Sequence, residues 1–251
     1  MSIKNAIRKL LPLTISNHMI LSGPIRGERI FTSWHDYPAA ILGYTERPLL
    51  GWFAINVQPG QTWLDIGAYY GFTAIALCNH VGKNGRVFAF EPMLSTAGYL
   101  NQTRQVNSLS QLVVLPLCLS SIVKMSLQLL PVVRGMVDST IEKTKAEWFE
   151  SFLVVSLDEL WPTISNDNQK IHGIKIDVQG MEIEVLKGMK DILKTQLPKL
   201  AIEVHDGVNR QELLDFLDSV GYSKDASPIE PIEGEEKAQL ISNRSYEFSP
   251  C

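Results

Sequence analysis

Cysteine is scarce in this chain. There are three, Cys78, Cys118 and Cys251, and none belongs to a CxxC pair. An odd number without paired spacing argues against a disulfide framework or a thiolate zinc site. Cys78 and Cys118 lie in apolar runs and read as small core residues. Long apolar runs are also missing. The longest, Leu112 to Leu119, is interrupted by Pro116 and falls well short of the ~20 residues of a membrane span. The first residues hold no apolar stretch ending in a small-residue cleavage site, so no signal peptide is expected. A reducing, cytoplasmic setting is the expectation. There is no excess of basic charge: 23 Lys and Arg stand against 27 Asp and Glu, a formal net charge of −4. A nucleic-acid binder normally shows a basic face, so no nucleic-acid partner is expected. The GxGxxG turn of dinucleotide-binding proteins is absent as well.

What is present is an ordinary globular composition. The 251 residues are 45% apolar and 20% charged, enough to bury a large core as one α/β domain. Residues 3 to 11 pattern as a short basic amphipathic helix, with Ile3, Ile7, Leu10 and Leu11 set against Lys4, Arg8 and Lys9. Such a helix packs on the domain, or is drawn weakly to an anionic membrane surface. Residues 1 to 60 are punctuated by Gly and Pro and read as an N-terminal extension laid on the main domain. Within it, Arg29 to Trp34 predicts a strand and Pro48 to Asn56 a helix.

From residue 61 strands and helices alternate. Strands are predicted at 61–67, 85–92 and 112–119, with helices at 72–80 and 94–107 between them. A further strand is predicted at 124–133, a short helix at 143–152, and a strand from 153 that turns into a helical stub at 156–160. The pattern resumes with a strand at 171–177, a helix over 181–196, a strand at 199–205 and a helix over 210–220 closed by Gly221. Residues 230–236 form an acidic loop, and 237–243 supply a last strand. Alternation of this kind implies crossovers and a mostly parallel sheet, with 61–251 as the main domain and an insert at about 120–153.

The most informative segment is Trp63-Leu-Asp-Ile-Gly-Ala-Tyr-Tyr-Gly. Asp65 closes a strand, and Gly67 and Gly71 follow in a DxGxxxG pattern. Glycines let a ligand approach the backbone, and the following helix start offers free N–H groups. An acid at the strand end repels a phosphate and suits a cationic ligand such as an ammonium group. Glu91 closes the next strand, 24 residues after Gly67. This is close to the ~20-residue offset at which an acid takes the hydroxyls of a bound ribose.

These residues resemble those of class I S-adenosylmethionine-dependent methyltransferases, and more narrowly those of the FkbM family. The matching blocks are LDIGAYYGFTAIAL (64–77), GRVFAFEPM (85–93), VSLDEL (155–160), GIKIDVQGMEIEVLKGM (173–189) and LAIEVH (200–205). One departure stands out: Gln179 occupies a position where members usually carry Glu. The resemblance implies a Rossmann-like α/β fold. It would have a seven-stranded, mostly parallel sheet with the last strand antiparallel, helices on both faces, and the N-terminal extension added. It implies S-adenosyl-L-methionine as cofactor. The turn Asp65, Gly67, Ala68, Tyr70 and Gly71, together with Asp177, would lie at its methionine half. Glu91 and Pro92 would lie at the ribose and Ser120 near the adenine. It also implies O-methylation of a hydroxyl on a sugar, glycolipid or secondary metabolite, so the partner is a small-molecule or glycan acceptor. The [DNS]PP[YF] segment of amino-methylating nucleic-acid enzymes is absent.

Asp177 and His205 are the candidate catalytic residues. Asp177 ends the fourth strand beside the donor, and ligands of open α/β sheets lie outside the carboxyl ends of the strands. Lys175 shares its strand face. His205 ends the fifth strand with Glu203 and titrates near neutrality, as a general base should. His35, in the extension, is a second candidate. Asp177, Glu182 and Glu203 could meet around Mg²⁺, but no spacing demands it, and no metal is expected. The alternative function is a methyltransferase-like binding module that has lost turnover. The oligomeric state has no sequence signal.

Overall fold

The computed structural model describes residues 11–122, 124–133, 136–137, 148–165, 169–231 and 240–251. The helix predicted for residues 3–11 and the acidic loop at 230–236 lie almost wholly outside them.

The chain begins with a hairpin of β1 (Ser16–Met19) and β2 (Arg29–Thr32), paired antiparallel. Two helices follow, α1 (Pro38–Leu42) and α2 (Arg47–Asn56). Strand β3 (Thr62–Ile66) then opens the alternating part, with α3 (Phe72–Val81), β4 (Arg86–Phe90), α4 (Leu94–Val106) and β5 (Leu112–Leu115). A second run comprises β6 (Cys118–Leu119), β7 (Ser126–Val133), β8 (Met136–Val137) and β9 (Trp148–Val155). The alternation resumes with α5 (Leu157–Ile164), β10 (Gly173–Ile176), α6 (Glu182–Lys187), α7 (Lys190–Gln196), β11 (Lys199–Val204) and α8 (Arg210–Ser219). Strands β12 (Ser227–Pro228) and β13 (Arg244–Phe248) complete it.

Seven of these strands form one sheet in the order β12-β13-β11-β10-β3-β4-β5. Strands β5, β4, β3, β10 and β11 run parallel, and β13 runs antiparallel beside β11. This is the Rossmann-like arrangement, with the last strand in chain order reversed. Helices cover both faces, so the central strands are buried throughout. Leu64 and Ile66 of β3 point to a core with Trp161, Leu186, Leu193 and Leu217. Trp63, on the alternate face, joins Phe53, Ile75, Leu77 and Leu100. Its indole fits because the neighbouring strand offers Gly173, where a Cβ would come within 2.2 Å of the ring.

Several expectations need correction. The apolar run 112–119 is two strands in two sheets. Pro116 cannot donate to a ladder, so β5 ends at Leu115, and Cys118 and Leu119 pair instead with β9. The short helix predicted over 143–152 is strand from Trp148 onward; residues 143–147 lie outside the described set. Phe152 and Val154 are buried while Phe149 and Ser151 are exposed, the period of two that a strand requires. The helix predicted over 181–196 is broken at Gly188. A Cβ there would lie 2.0 Å from the Ser120 carbonyl oxygen, and the Asp158 carboxylate caps the second helix by accepting from the N–H groups of Asp191 and Ile192, both at 3.0 Å. Of the last strand predicted at 237–243, residues 237–239 lie outside the described set and 240–243 are not strand; the edge strand beside β11 is Arg244–Phe248. Tyr246 and Phe248 carry its buried face.

Candidate functional site

The carboxyl ends of β3, β4, β10 and β11 converge on one crevice. The turn after β3 is built on Gly67 at φ 78°. A Cβ on Gly67 would lie 1.8 Å from the Asp177 carbonyl oxygen, so the glycine is required by the approach of the β3 and β10 ends. Gly71, at φ 95°, precedes α3, and a Cβ there would meet Leu100 of α4 at 2.3 Å.

The turn's own N–H groups are largely used inside the protein. Gly67 and Ala68 both donate to the Phe90 carbonyl, and Gly71 donates to Ala68. Tyr69, at φ 49°, donates its N–H to Glu91 Oε2 at 3.0 Å. Ala68 and Tyr70 are buried, and the Tyr70 hydroxyl donates to Asp36 Oδ2 at 3.3 Å.

Asp65 is fully buried. Its Oδ2 accepts from the Thr73 hydroxyl at 2.7 Å, and its Oδ1 lies 3.2 Å from Lys175 Nζ. The carboxylate therefore braces the turn through its neighbours. Lys175 also donates to the Gly67 carbonyl at 2.8 Å and lies 3.6 Å from Asp177 Oδ2. Burial alone pulls this ammonium's pKa down, but the charges of Asp65 and Asp177 hold it above the usual lysine range.

Glu91 closes β4. Its two oxygens accept from the N–H groups of Tyr69 and Met93, each at 3.0 Å. Burial pushes its pKa up to about 7 against the pull of those donors. Each oxygen keeps a lone pair for a hydroxyl. Pro92 follows, half-buried. Cys118 lies close enough to Glu91 for its charge to add to burial in pushing the thiol up to about 11. The Ser120 N–H donates to the Val155 carbonyl in the second sheet, and its own carbonyl faces Gly188.

Beside the Lys175 group lies a second cluster. His205 Nε2 is 3.5 Å from Asp177 Oδ1 and 3.5 Å from Glu203 Oε1. Its Nδ1 is 2.6 Å from Oε1 of Glu182, which is fully buried. The Gln179 amide nitrogen is 2.9 Å from Nε2. Burial opposes the charged imidazole, but the Glu182 bond and the Asp177 and Glu203 charges outweigh it and raise the His205 pKa. Glu203 is pushed up to about 7 by burial and by the charges of Asp177 and Glu46. The ligand atoms of Asp177, Glu203 and His205 lie within 4.8 Å of one another, a spacing that a divalent cation could bridge.

The N-terminal segment closes this crevice. The Tyr37 ring packs edge-on against Tyr69 at 5.5 Å and Phe72 at 6.2 Å. Glu46, the residue just before α2, lines a cavity of about 200 Å³ with Glu203, Asn243 and Arg244. His35, the second base candidate, is paired with Asp36 at 3.1 Å. No sequence pattern marked Glu46. Glu182 stood in the Gly180-Met-Glu run, but its contact with His205 depends on the sheet.

Residues 65–224 match the family model described as the methyltransferase FkbM domain. No curated protein matches the sequence significantly. The crystal structure of methyltransferase FkbM from Methylobacillus flagellatus KT is similar, at 17% identity and a TM-score of 0.50. The match covers 79% of this chain and 50% of that one, so this chain spans half its length. Aeropyrum pernix fibrillarin, solved with natively bound S-adenosyl-L-methionine, matches at 14% identity and a TM-score of 0.50, covering 94% of this chain and 87% of that one. Precorrin-6y C5,15-methyltransferase from Geobacter metallireducens GS-15 matches at 14% identity and 0.50, covering 82% and 89%. At these identities the structural matches speak to the fold. Among the described residues no helix is long and apolar enough to cross a membrane.

Proposed function

We propose, from the premise that the chain belongs to the FkbM methyltransferase family, that it transfers the methyl group of S-adenosylmethionine to a hydroxyl oxygen. The acceptor is a sugar, glycolipid or secondary metabolite. The observation that carries the donor reading is Glu91, a buried carboxylate held by two N–H groups at the end of β4. Its position and remaining lone pairs suit two vicinal ribose hydroxyls. The charge balance fits the amino-acid half: Asp65, Asp177 and Glu203 gather around Lys175, which favours a ligand carrying an ammonium and a sulfonium. Asp177, one-quarter exposed, would take the ammonium, with Gly67 to Tyr70 and Pro92 shaping the wall. Asp65 acts through Lys175 and Thr73. Ser120, fixed against Gly188, is a weaker candidate for the adenine than the Leu117–Cys118 stretch before it.

When bound, S-adenosylmethionine supplies a methyl group already activated by the sulfonium. The protein has to align the acceptor oxygen and keep water out. His205 Nε2, between Asp177 and Glu203, would accept the hydroxyl proton as the new C–O bond forms. The cavity beside Glu203 offers room for a small acceptor. Residues 1–60, read as an extension on the core of 61–251, and the insert at about 120–153 would shape that room.

Incubation with S-adenosylmethionine deuterated in the methyl group and a panel of methyl glycosides and hydroxylated lipids tests this reading by mass spectrometry. The expected result is label on an acceptor oxygen, lost with His205→Gln. Label on nitrogen or carbon would contradict it. Donor binding with no transfer to any acceptor would favour the binding-module alternative.

A further inference from the structure

We propose that Glu182 is the positioning residue of a Glu182–His205 pair, fixing the imidazole so that its Nε2 lone pair faces the acceptor. The chemical role rests on the methyl-transfer reading above. The fixed tautomer does not, and it is measured separately.

The geometry assigns each ring nitrogen. Nδ1 faces a carboxylate oxygen at 2.6 Å. A carboxylate only accepts, so Nδ1 carries the hydrogen. Nε2 faces the Gln179 amide nitrogen at 2.9 Å, which donates, so Nε2 carries the lone pair. That lone pair lies where Asp177 and Glu203 converge, at 3.5 Å from each. A carboxylate behind the ring also stabilises the imidazolium that forms when Nε2 takes a proton.

Glu182 is held for this task at a cost. It is fully buried, and among the described residues its Oε2 has no hydrogen-bond partner. Among them its Oε1 meets the His205 ring and accepts from the Gly180 N–H at 3.1 Å. Gly180, at φ 102°, turns the chain so that its N–H reaches back to this side chain. Burying a carboxylate with so few donors is unfavourable, and a glutamine would fill the same volume without the charge. What the charge adds is the tautomer and the basicity of His205.

The Gln179 amide occupies Nε2 in the resting arrangement, from a residue at φ 56°. An acceptor hydroxyl would displace it and donate to the same lone pair. The charged groups facing His205 are Glu182 from α6, Asp177 after β10 and Glu203 from β11. Lys175 stands behind Asp177, and Glu46 acts on Glu203 from the N-terminal segment. The Glu182 hydrogen bond is the largest of the raising influences on His205, and the Glu182 charge adds to it after those of Asp177 and Glu203.

The test is long-range proton–nitrogen NMR on the full chain labelled with ¹⁵N-histidine and saturated with S-adenosylhomocysteine, across about pH 5 to 9. His205→Gln identifies the signal. The wild type should show the neutral ring protonated on Nδ1, titrating above an ordinary histidine. Glu182→Gln should lower the midpoint by about one unit or more and mix the tautomers. Glu182→Asp should restore part of both. With any methyl glycoside that turns over in the labelling screen, Glu182→Gln should lower kcat at least about tenfold. It should also move the acid limb of the kcat profile to lower pH and leave the donor KM unchanged. Glu203→Gln separates the limb of that carboxylate. A wild-type proton on Nε2, or an unmoved midpoint and tautomer in Glu182→Gln, would overturn the proposal. So would Mn²⁺ broadening the His205 signal together with turnover that requires Mn²⁺, since His205 would then be a ligand and not a base. If Glu182→Gln does not fold, the wild-type tautomer and Glu182→Asp decide.

Discussion

Asp65 and Lys175 are register partners in neighbouring parallel strands, their carboxylate and ammonium 3.2 Å apart and both buried. The row continues to Ala89 on one side and Ala201 on the other, so small residues leave room for the pair inside an otherwise apolar sheet. The pair ties the β3 turn to the end of β10. Breaking it strands a buried charge. Asp65→Asn should cost about 3–5 kcal/mol, because the Lys175 ammonium loses its closest counter-charge. Urea denaturation checks the value. The double replacement Asp65→Leu, Lys175→Met should recover much of that loss while still failing to bind donor.

Gly67 and Gly98 should respond in opposite ways to alanine. At Gly67 a Cβ meets the Asp177 carbonyl at 1.8 Å, and the backbone is at φ 78°. Gly67→Ala should destabilise by about 1–3 kcal/mol and weaken donor binding. Gly98 lies inside α4 with nothing within 4 Å of an added Cβ. Gly98→Ala should stabilise by about 0.5–1 kcal/mol without changing binding. Parallel thermal melts and donor titrations separate the two.

The pH dependence of donor binding should follow Glu91. Its folded pKa of about 7 lies above the ordinary 4.5. Between those values the folded state holds a proton that the unfolded state has released. Its contribution to stability is therefore fully present below about 4.5 and is lost as pH rises through about 7. Glu91→Gln should flatten that part of the stability profile of the ligand-free protein. The ionised carboxylate is the better acceptor for ribose hydroxyls, so donor affinity should rise with pH through the same region. Calorimetric affinities at about pH 6 and pH 8 test the sign, and Glu203→Gln removes the other carboxylate titrating near 7.

Asp158 is a local test of the broken helix. It accepts from the N–H groups of Asp191 and Ile192, each at 3.0 Å. Asp158→Ala should cost about 1 kcal/mol through loss of that cap. Hydrogen exchange at residues 190–196 should speed up more than in the central strands.

The sheet was legible in the sequence because its central strands are mostly apolar, and β3 and β4 run into Gly67 and Pro92. The DxGxxxG turn and Glu91 marked where the crevice lies. What could not be read was how the turn is held. A sequence shows Gly67 but not the Asp177 carbonyl beside it, and Asp65 but not its burial behind Lys175. Pairings between β10, α6 and β11 bring Glu182 to His205 across 23 positions, and no local pattern encodes that. The break at Gly188 escaped because Met181 to Gln196 keeps helical spacing on both sides. The cause is the carbonyl of Ser120, just after β6 and far away in the chain.

The most direct measurement is calorimetric titration of the protein with S-adenosylmethionine and S-adenosylhomocysteine, beside Glu91→Ala and Asp177→Ala. The expected result is micromolar binding of both ligands by the wild type, with each substitution weakening it by about tenfold or more. Absence of binding by the folded wild type, or binding indifferent to Glu91, would contradict the donor site described here.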